Sequence, residues 1–458
     1  MYQAMKIKFI NHSSIIIDTG KEKILCDPWY QGTAFANGWR LLCDDEININ
    51  DLNFDKLWIS HEHPDHFSIP TLKSLNSKKP VLYQKTNDKK VKKYLEIQGH
   101  EVTEMTHNKT YNINETKLTT IITEGYDSCI LVDNGQHKFL NINDSQLDKE
   151  NEIKKITKHT PIDLISIQFH YANWAGNIGD EEIPEFKRHN AVERIKKICQ
   201  ICKTNDVILF ASFIYYAHEE NFYWNKPFSH IDKTLKELDE AGINAIIMMP
   251  EDEIEVGNKH HVNEALHKNK ESINFWKKKY EAIEIKEFSQ KHQLSEIKEQ
   301  YINFIDKINK NNNTEIFCNS FLKDFRLGIR ITDHQKDLKI GLFEKSFKIE
   351  SSNDKNSWDV SLSSEALSML FQNDFSLGSI TISSRLQFNY INAYKFYFFF
   401  LIPYRNNIGS YLTNSISKDL NFAAFKTNGV LKPIFKFNKD AEYEFLEFNK
   451  KLNTISLS

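Results

Sequence analysis

Four side chains that commonly bind metals crowd into six positions of the sequence, directly after an apolar run. In LWISHEHPDHFSIP, residues 57–70, they are His61, His63, Asp65 and His66. A buried imidazole or carboxylate needs a hydrogen-bond partner, water or a cation, so this cluster would not stabilise an ordinary core. Both groups are ligands for zinc and iron, and four of them this close can reach two metals about 3.5–4 Å apart. The cluster therefore predicts a dinuclear metal site.

The elements that must position this cluster are short strands mixed with amphipathic helices. The run DKLWIS, residues 55–60, predicts a strand that ends at the cluster, and MKIKFI, SSIIIDTG and KILCDPWY predict strands before it. Further strands are predicted at KLTTIIT, SCILVDNG, KFLNIND, DLISIQF and VILFASFIYY. Helical patterns lie at 68–75, 91–98 and 187–203. This mixture indicates an α/β sandwich rather than a helical bundle or an all-β domain.

A chain of 458 residues is too long for one simple core, so we expect two domains. A polar helix that fades into an asparagine run predicts a helical linker at 286–313. It would join a catalytic domain, 1–285, to a smaller C-terminal α+β accessory domain, 314–458. In that domain, LGSITISSRLQF predicts a strand, and YKFYFFFLIPY at 394–404 predicts a buried strand.

Composition narrows the class of protein. The net charge of −3, from 59 basic and 62 acidic side chains, does not favour a nucleic-acid partner. Six scattered cysteines argue against a disulfide framework, and Cys199 and Cys202 lie in a helical pattern as two expected buried thiols. The N-terminus lacks the apolar core of a signal peptide, and residues 394–404 are too short to span a bilayer. We therefore expect a cytoplasmic protein with no membrane partner.

The spacing HxHxDH after a strand resembles the signature of the metallo-β-lactamase superfamily, and NHSSIIID followed by ILCDPWY is similar to the opening hairpins of that fold. The resemblance implies an αββα sandwich with further metal ligands on later loops. HKFLNINDSQ ends a predicted strand in Asp144, which matches the bridging aspartate of the family. Where the family has a histidine, this chain has Glu124. The last ligand has two candidates, His170 after DLISIQF and His218 after VILFASFIYYA, and we favour His218 with His170 lining the cleft.

The resemblance also suggests roles around the metals. Asp65 and Glu124 are the expected catalytic carboxylates, because Asp65 can orient a metal-bound water and the added carboxylate of Glu124 makes the site harder, which favours iron over zinc. Asp27 is expected to hydrogen-bond a ligating histidine from outside the ligand set. The stretch HEENFYWN is expected to supply substrate-binding residues near the metals, namely Glu219, Asn221 and Tyr223.

In DPWYQGTAFANGWRLL (27–42), in HEENFYWN, and in WDVSLSSEAL with LGSITISSRLQF, the chain looks like the metal-binding part of the CMP-N-acetylneuraminate and UDP-N-acetylmuramate hydroxylases. This resemblance runs loosely over 5–390, and those enzymes use O₂ and electrons from a Rieske domain. A Rieske centre needs two Cys and two His ligands, and no Cys-x-His pair occurs in this sequence. An oxygenase would then need a separate electron donor.

Two hypotheses stand: a diiron hydroxylase of a sugar-nucleotide-like or other small polar substrate, and a zinc- or manganese-dependent hydrolase of an ester, amide or phosphodiester. A metal-retaining scaffold without activity is a third. The hydroxylase is favoured because Glu124, in place of the histidine of the family, changes directly which metal the site prefers.

Overall fold

Two seven-stranded sheets and a separate C-terminal unit make up the chain. Strands and helices are numbered in chain order. The computed structural model describes residues 4–43, 47–123, 127–147, 150–157, 160–170, 173–225, 229–350, 358–407, 409–412 and 430–455.

The first sheet carries the histidine cluster at the end of a central strand. Its strands are β1 (Lys6–Asn11), β2 (Ser14–Asp18), β3 (Lys23–Cys26), β5 (Lys56–Ile59), β6 (Val81–Gln84), β7 (Val102–Met105) and β16 (Glu253–Glu255). Their order is β16-β1-β2-β3-β5-β6-β7. Strands β3, β5, β6 and β7 are parallel, so their carboxyl ends, and the loops that follow, lie at one edge.

The second sheet packs face to face on the first. Its strands are β8 (Thr110–Ile113), β9 (Thr116–Ile122), β10 (Ser128–Asp133), β11 (Lys138–Asn143), β12 (Leu164–Gln168), β13 (Asp206–Phe210) and β15 (Asn244–Ile246). Their order is β15-β13-β12-β11-β10-β9-β8, with β11, β12 and β13 parallel. A separate antiparallel pair joins β4 (Trp39–Leu41) to β14 (Ile214–Tyr216).

Helices cover the outer faces of both sheets. They are α1 (Ile69–Lys73), α2 (Lys90–Ile97), α3 (Glu150–Thr157), α4 (Glu182–Cys202), α5 (Ser229–Asp239) and α6 (Lys259–Glu281). Val91 and Leu95 of α2 pack in one core with Leu57 of β5, and Val192 and Ile195 of α4 pack in the large core that includes both sheets. The predicted αββα sandwich is confirmed.

The loop with the histidine cluster is closed by a well-defined helix start. The Ser68 hydroxyl caps α1 by accepting from the Thr71 N–H, and Pro70 occupies the first turn, where its missing N–H costs nothing. The predicted buried thiols Cys199 and Cys202 lie on α4. Burial raises the pKa of each to about 12, so both are held as unreactive thiols.

The C-terminal unit is an α+β arrangement around its own phenylalanine-rich core. Its strands, β17 (Arg326–Ile331), β18 (Lys336–Gly341), β19 (Phe347–Glu350), β20 (Val360–Leu362) and β21 (Gln387–Phe388), have the order β19-β18-β17-β20-β21. Its helices are α7 (Leu294–Asn311), α8 (Glu315–Cys318), α9 (Ser364–Gln372), α10 (Ser376–Ile382), α11 (Ala393–Asn407) and α12 (Lys439–Ile455). Single 3₁₀ turns occur at Ile49–Asp51, Phe222–Trp224, Phe321–Asp324 and Tyr390–Asn392.

Three expectations for this unit differ from the structure. The buried strand predicted at 394–404 is part of α11, a helix buried on most of its surface; such a helix is apolar all round and shows no period that would separate it from a buried strand. LGSITISSRLQF forms α10 followed by the two-residue strand β21. The stretch predicted as a linker contains α7, whose apolar side packs into the C-terminal core. Among the described residues, no helix is long and apolar enough to cross a bilayer.

Candidate metal centre

Strand ends from both sheets bring a set of histidines and aspartates to one place. The residues 61–66 follow β5, and Asp144 follows β11 directly. Asp127 directly precedes β10, which runs antiparallel to β11. His12 lies in the tight turn between β1 and β2, in a left-handed conformation with φ 42°. Because these positions share one edge of the sandwich, residues distant in sequence become neighbours.

Three groups at this edge have the composition and spacing of metal ligands; a fourth group of described residues, His260, His261 and Glu264, lies apart from them and mostly exposed on α6. Within each group, one ligand atom per residue lies within 4.8 Å of the others. Each group contains two histidines and one carboxylate: His61, His63 and Asp127; His61, His66 and Asp144; and His12, Asp65 and His66. Since neighbouring groups share His61 or His66, the three form one continuous cluster, which we call the ligand cluster.

Distances inside the ligand cluster show that its polar atoms converge on common space. His61 Nε2 lies 2.8 Å from His63 Nδ1, and His66 Nε2 lies 3.2 Å from Asp65 Oδ2 and 3.4 Å from Asp144 Oδ2. Yet His66 Nε2, Asp65 Oδ1 and Asp144 Oδ1 are buried without a hydrogen bond from any described residue. Buried polar atoms left in this state cost free energy unless a cation or water satisfies them. The donor set therefore fits a metal-binding site.

The predicted contact of Asp27 with a histidine is present. Asp27 Oδ2 lies 3.1 Å from His66 Nδ1, and Asp27 Oδ1 accepts the Ser60 N–H at 2.7 Å. Asn143 Nδ2 also donates to Asp27 Oδ2 and lies 3.1 Å from Ser60 Oγ. Burial alone would lower the pKa of His66, but Asp65 and Asp144 raise it well above its usual range. A His66 ring that donates its Nδ1 proton to Asp27 would present Nε2 to a metal in the ligand cluster. Asp27 thus fixes the orientation that a ligating imidazole needs.

Burial and neighbouring charges shift the pKa values in the ligand cluster. Burial lowers the pKa of His12, His61 and His63, which favours the neutral rings that metals bind. Burial alone would raise the pKa of Asp144, but His66 and His61 hold it well below its usual range. Burial, reinforced by the charge of Asp144, raises the pKa of Asp127 to about 7. The carboxylates of the ligand cluster therefore require additional positive charge to balance them.

Two members of the ligand cluster were not predicted as ligands. Glu124, predicted as the added carboxylate, lies outside the described residues. Like Glu124, Asp127 lies in the sequence between β9 and β10. Its position directly before the predicted strand SCILVDNG could have marked it as a candidate ligand. His12 was part of the NHSS stretch, but only the turn conformation shows that its ring faces Asp65, with His12 Nε2 3.4 Å from Asp65 Oδ2.

The favoured last ligand, His218, is not brought to the ligand cluster. It follows β14, which pairs with β4 instead of extending the second sheet, and this turns the residue toward the C-terminal unit. His218 Nδ1 lies 3.6 Å from Glu220 Oε2, and His218 Nε2 lies 3.8 Å from Glu365 Oε2. The Arg385 guanidinium binds both carboxylates, through Nε to Glu220 at 2.6 Å and Nη2 to Glu365 at 2.5 Å. We call these four residues the arginine cluster.

The other predicted substrate-binding residues of HEENFYWN also have structural contacts elsewhere. The Asn221 side chain donates to the carbonyls of Gly38 and Ser383. Glu219 Oε1 accepts the Ser289 N–H at 2.8 Å, and the Tyr223 hydroxyl accepts from Gln387 Nε2 at 2.6 Å. None of these three side chains lines either of the cavities next to the ligand cluster, and their contact with substrate stays a prediction.

Two cavities adjoin the ligand cluster. A polar cleft of ≈ 570 Å³ is lined by His63, the predicted cleft residue His170, and Lys187 and Arg194 of α4. A second cavity of ≈ 590 Å³, the loop cleft, is lined by His61, His63 and Asp127. The C-terminal unit supplies a wall to both cavities through Gly378, Ile382 and Tyr404. A molecule in either cavity would therefore lie between the ligand cluster and the C-terminal unit.

Comparison with known families agrees with this geometry. Residues 6–131 match the family described as Beta-lactamase superfamily domain. The likeness to this family thus lies in the N-terminal part of the chain. The matched segment contains β1 to β9 and most of β10, and with them the HxHxDH motif, His12 and Asp127.

Curated relatives share a limited part of the chain. The cytidine monophosphate-N-acetylneuraminic acid hydroxylase of Danio rerio is 31% identical over 146 residues, which are 30% of this chain and 25% of that protein. A human protein described as an inactive form of this hydroxylase is 30% identical over 151 residues, 31% of this chain and 30% of that protein. The match thus spans about a quarter to a third of each relative.

Among solved structures, CmlA, described as a diiron β-hydroxylase from Streptomyces venezuelae, gives a TM-score of 0.42 at 15% identity. It covers 56% of this chain and 55% of that chain. A likeness at this level supports no argument about activity.

Proposed function

We propose that this chain is a dinuclear metal enzyme, and specifically an iron- and O₂-dependent hydroxylase of a small polar substrate. The observation that carries the proposal is the composition of the ligand groups, each of two histidines and one carboxylate. That donor set, with coordination positions left open, is typical of non-haem iron sites that activate O₂. Two iron ions bound there would supply O₂ activation.

The residues around the ligand cluster have roles that follow from their contacts. Asp144 is grouped with His61 and His66, and His66 also belongs to the group with Asp65, so Asp144 is placed to face both halves of the cluster. Asp27 and Ser60 hold the rings of His66 and His61 from behind, with Ser60 Oγ 2.9 Å from His61 Nδ1. Fixed rings keep the donor atoms aimed at one place, which supports affinity for metals.

Substrate would enter between the sandwich and the C-terminal unit. Ile382 and Tyr404 line both cavities next to His63, so a substrate bound there would pack against them and displace water from the ligand cluster. Exclusion of water protects a reactive centre from side reactions, and a shaped wall holds the target C–H group in one orientation. We infer a sugar-nucleotide-like substrate from the hydroxylase relatives, and a separate protein as the electron donor.

Metal analysis of the full chain, purified without oxygen, tests the proposal. We expect two irons per chain and an optical spectrum that changes when O₂ is admitted. Stoichiometric zinc or manganese that persists after iron supplementation would overturn the hydroxylase and support instead a hydrolase, in which the same residues would hold the metal and the metal would activate water.

The variant Asp127→His tests the carboxylate directly. Replacing the carboxylate in the group with His61 and His63 by a softer imidazole should raise the ratio of bound zinc to bound iron. The matched control is Asp133→His, at the opposite end of β10, where Asp133 accepts only the Gly135 N–H of a turn among the described residues. An unchanged ratio in Asp127→His, relative to this control, would contradict the role of Asp127 as an iron ligand.

A further inference from the structure

One face of α4 supplies the polar side of the polar cleft. Lys187, Asn190 and Arg194 all line it, and their spacing of three and four residues places them on the same side of the helix. The adjoining strand β12 adds Gln168, and the loop after it adds His170. Lys187 and Arg194, about two turns apart on one face of α4, thus line a cavity that reaches the ligand cluster at His63, and Lys432 lines it from the C-terminal unit.

The surroundings of Lys187 are polar but uncharged. Its ammonium group donates to Asn173 Oδ1 and to the Trp174 carbonyl. Among the described residues, no carboxylate forms an ion pair with Lys187. Burial lowers the pKa of Lys187 to about 7, since no neighbouring negative charge offsets the loss of hydration. An ammonium group in this environment is stabilised most by an anion that enters with a ligand.

Arg194 lies about two turns further along the helix. Its Nη2 is 3.4 Å from the Gln168 carbonyl, at the edge of hydrogen-bond distance, which places the guanidinium along the wall of the cleft. A guanidinium presents several N–H donors in one plane, which suits a carboxylate or a phosphate.

The opposite wall is mostly apolar, with Thr381 and Lys432 as its polar members. Leu377 and Ile382 of α10, together with Leu401 and Tyr404 of α11, face the cleft from the C-terminal unit. The cavity of ≈ 570 Å³ has the size of a typical small-molecule site. Its basic residues, its apolar wall and His63 therefore fit an elongated ligand with one anionic group and one part near the ligand cluster.

We propose that the polar cleft is the substrate site and that Lys187 and Arg194 bind an anionic group of the substrate, a carboxylate or a phosphate. The identification of the bound ligand as the substrate rests on the proposed function. Binding of an anion to the two side chains does not depend on turnover, so it can be measured separately. The role of the two residues is to position substrate, not to react with it.

Calorimetric titration of the metal-loaded full chain with sulfate and with acetate tests the site, because sulfate stands for a phosphate and acetate for a carboxylate. We expect Lys187→Met and Arg194→Gln each to weaken binding of the preferred anion about 10-fold or more, the effect of losing a charge-assisted hydrogen bond. Lys187→Arg should retain most of the affinity, which separates loss of charge from loss of folding.

The matched control is Lys196→Met on the same helix, because Lys196 pairs with Glu193 on the outer side at 2.9 Å. It should bind both anions as the unchanged chain does. Equal binding in Lys187→Met and Lys196→Met, or no binding of either anion to the unchanged chain, would overturn the inference. Metal content is measured on the same samples. An intact anion site on a chain that binds no iron would refute the proposed function while leaving this site in place.

Discussion

Two buried clusters of histidine and carboxylate side chains lie in this chain, and they differ in what balances their negative charge. In the arginine cluster, Glu220 and Glu365 are both bound by the Arg385 guanidinium. In the ligand cluster, no lysine or arginine among the described residues forms an ion pair with Asp65, Asp127 or Asp144. There the carboxylates face imidazoles and buried atoms without hydrogen bonds.

The difference separates a structural cluster from one that binds a ligand. Arg385 is itself fully buried, and it also donates to the Ala36 carbonyl at 2.6 Å, so it ties α9 and the residues after α10 to the sandwich. A buried charge group completed by its own cation needs nothing further. Buried carboxylates that have no lysine or arginine partner need a cation that binds from solution, such as a metal ion. Histidines and acidic residues of similar burial thus serve two purposes in one molecule.

The largest expected effect comes from Asp144→Ala, which removes the carboxylate grouped with His61 and His66. Metal affinity should fall by more than about 100-fold. Loss of a residue that only hydrogen-bonds a ligand can cost about that much, and here a ligand itself is lost. Metal content after dialysis, measured by mass spectrometry, checks this.

The control for that experiment is Asp133→Ala at the far end of β10, which should keep its metals. An Asp144→Ala chain that keeps as much metal as this control would mean that the ligand cluster does not hold the cation, and the contrast between the two clusters would fail.

A smaller effect, on stability, is expected from Arg385→Met. Glu220 and Glu365, which are partly buried, would then lose their cation, which costs about 3 kcal/mol of unfolding free energy, the lower end for a broken buried pair. Metal content should not change. Urea unfolding of the variant, compared with Arg326→Met, measures this effect. Arg326 pairs with the half-exposed Glu344, and its loss should cost at most about 1 kcal/mol. Equal losses in the two variants would show that the arginine cluster does not stabilise the fold.

The sequence predicted the part of the ligand cluster that is set locally. The HxHxDH motif and Asp144 follow apolar strands directly, so the fold of each strand fixes their position. Residues set by turns or by pairing between distant strands were not predictable in this way. His12 depends on a left-handed turn, and His218 depends on whether β14 joins the second sheet or pairs with β4.

The same limit applies to the C-terminal unit. Helix α11 is apolar on nearly all sides, so its sequence carries no period that distinguishes a helix from a buried strand. Strong local patterns therefore gave the sandwich and the metal motif, whereas the contacts between the two units emerged only from the packed structure.

The smallest expected effect is a pH-dependent change in stability caused by Glu365 of the arginine cluster. Burial alone would raise the pKa of Glu365, but the His218 ring and the Arg385 guanidinium lower it to about 2. A carboxylate whose pKa is lower in the folded chain stabilises folding above its unfolded pKa, and that contribution is lost as pH falls toward the folded value. Glu365→Gln should thus reduce the unfolding free energy by about 2 kcal/mol near pH 7.

Between about pH 4.5 and pH 2, the difference between the two chains should shrink toward zero, because Glu365 becomes protonated in the unchanged chain and then resembles the glutamine. Urea unfolding of both chains at a series of pH values measures the difference, and effects of acid on the rest of the molecule cancel in it. A difference that stays constant down to the lowest pH at which both chains fold would show that the ionised form of Glu365 is not what Arg385 stabilises.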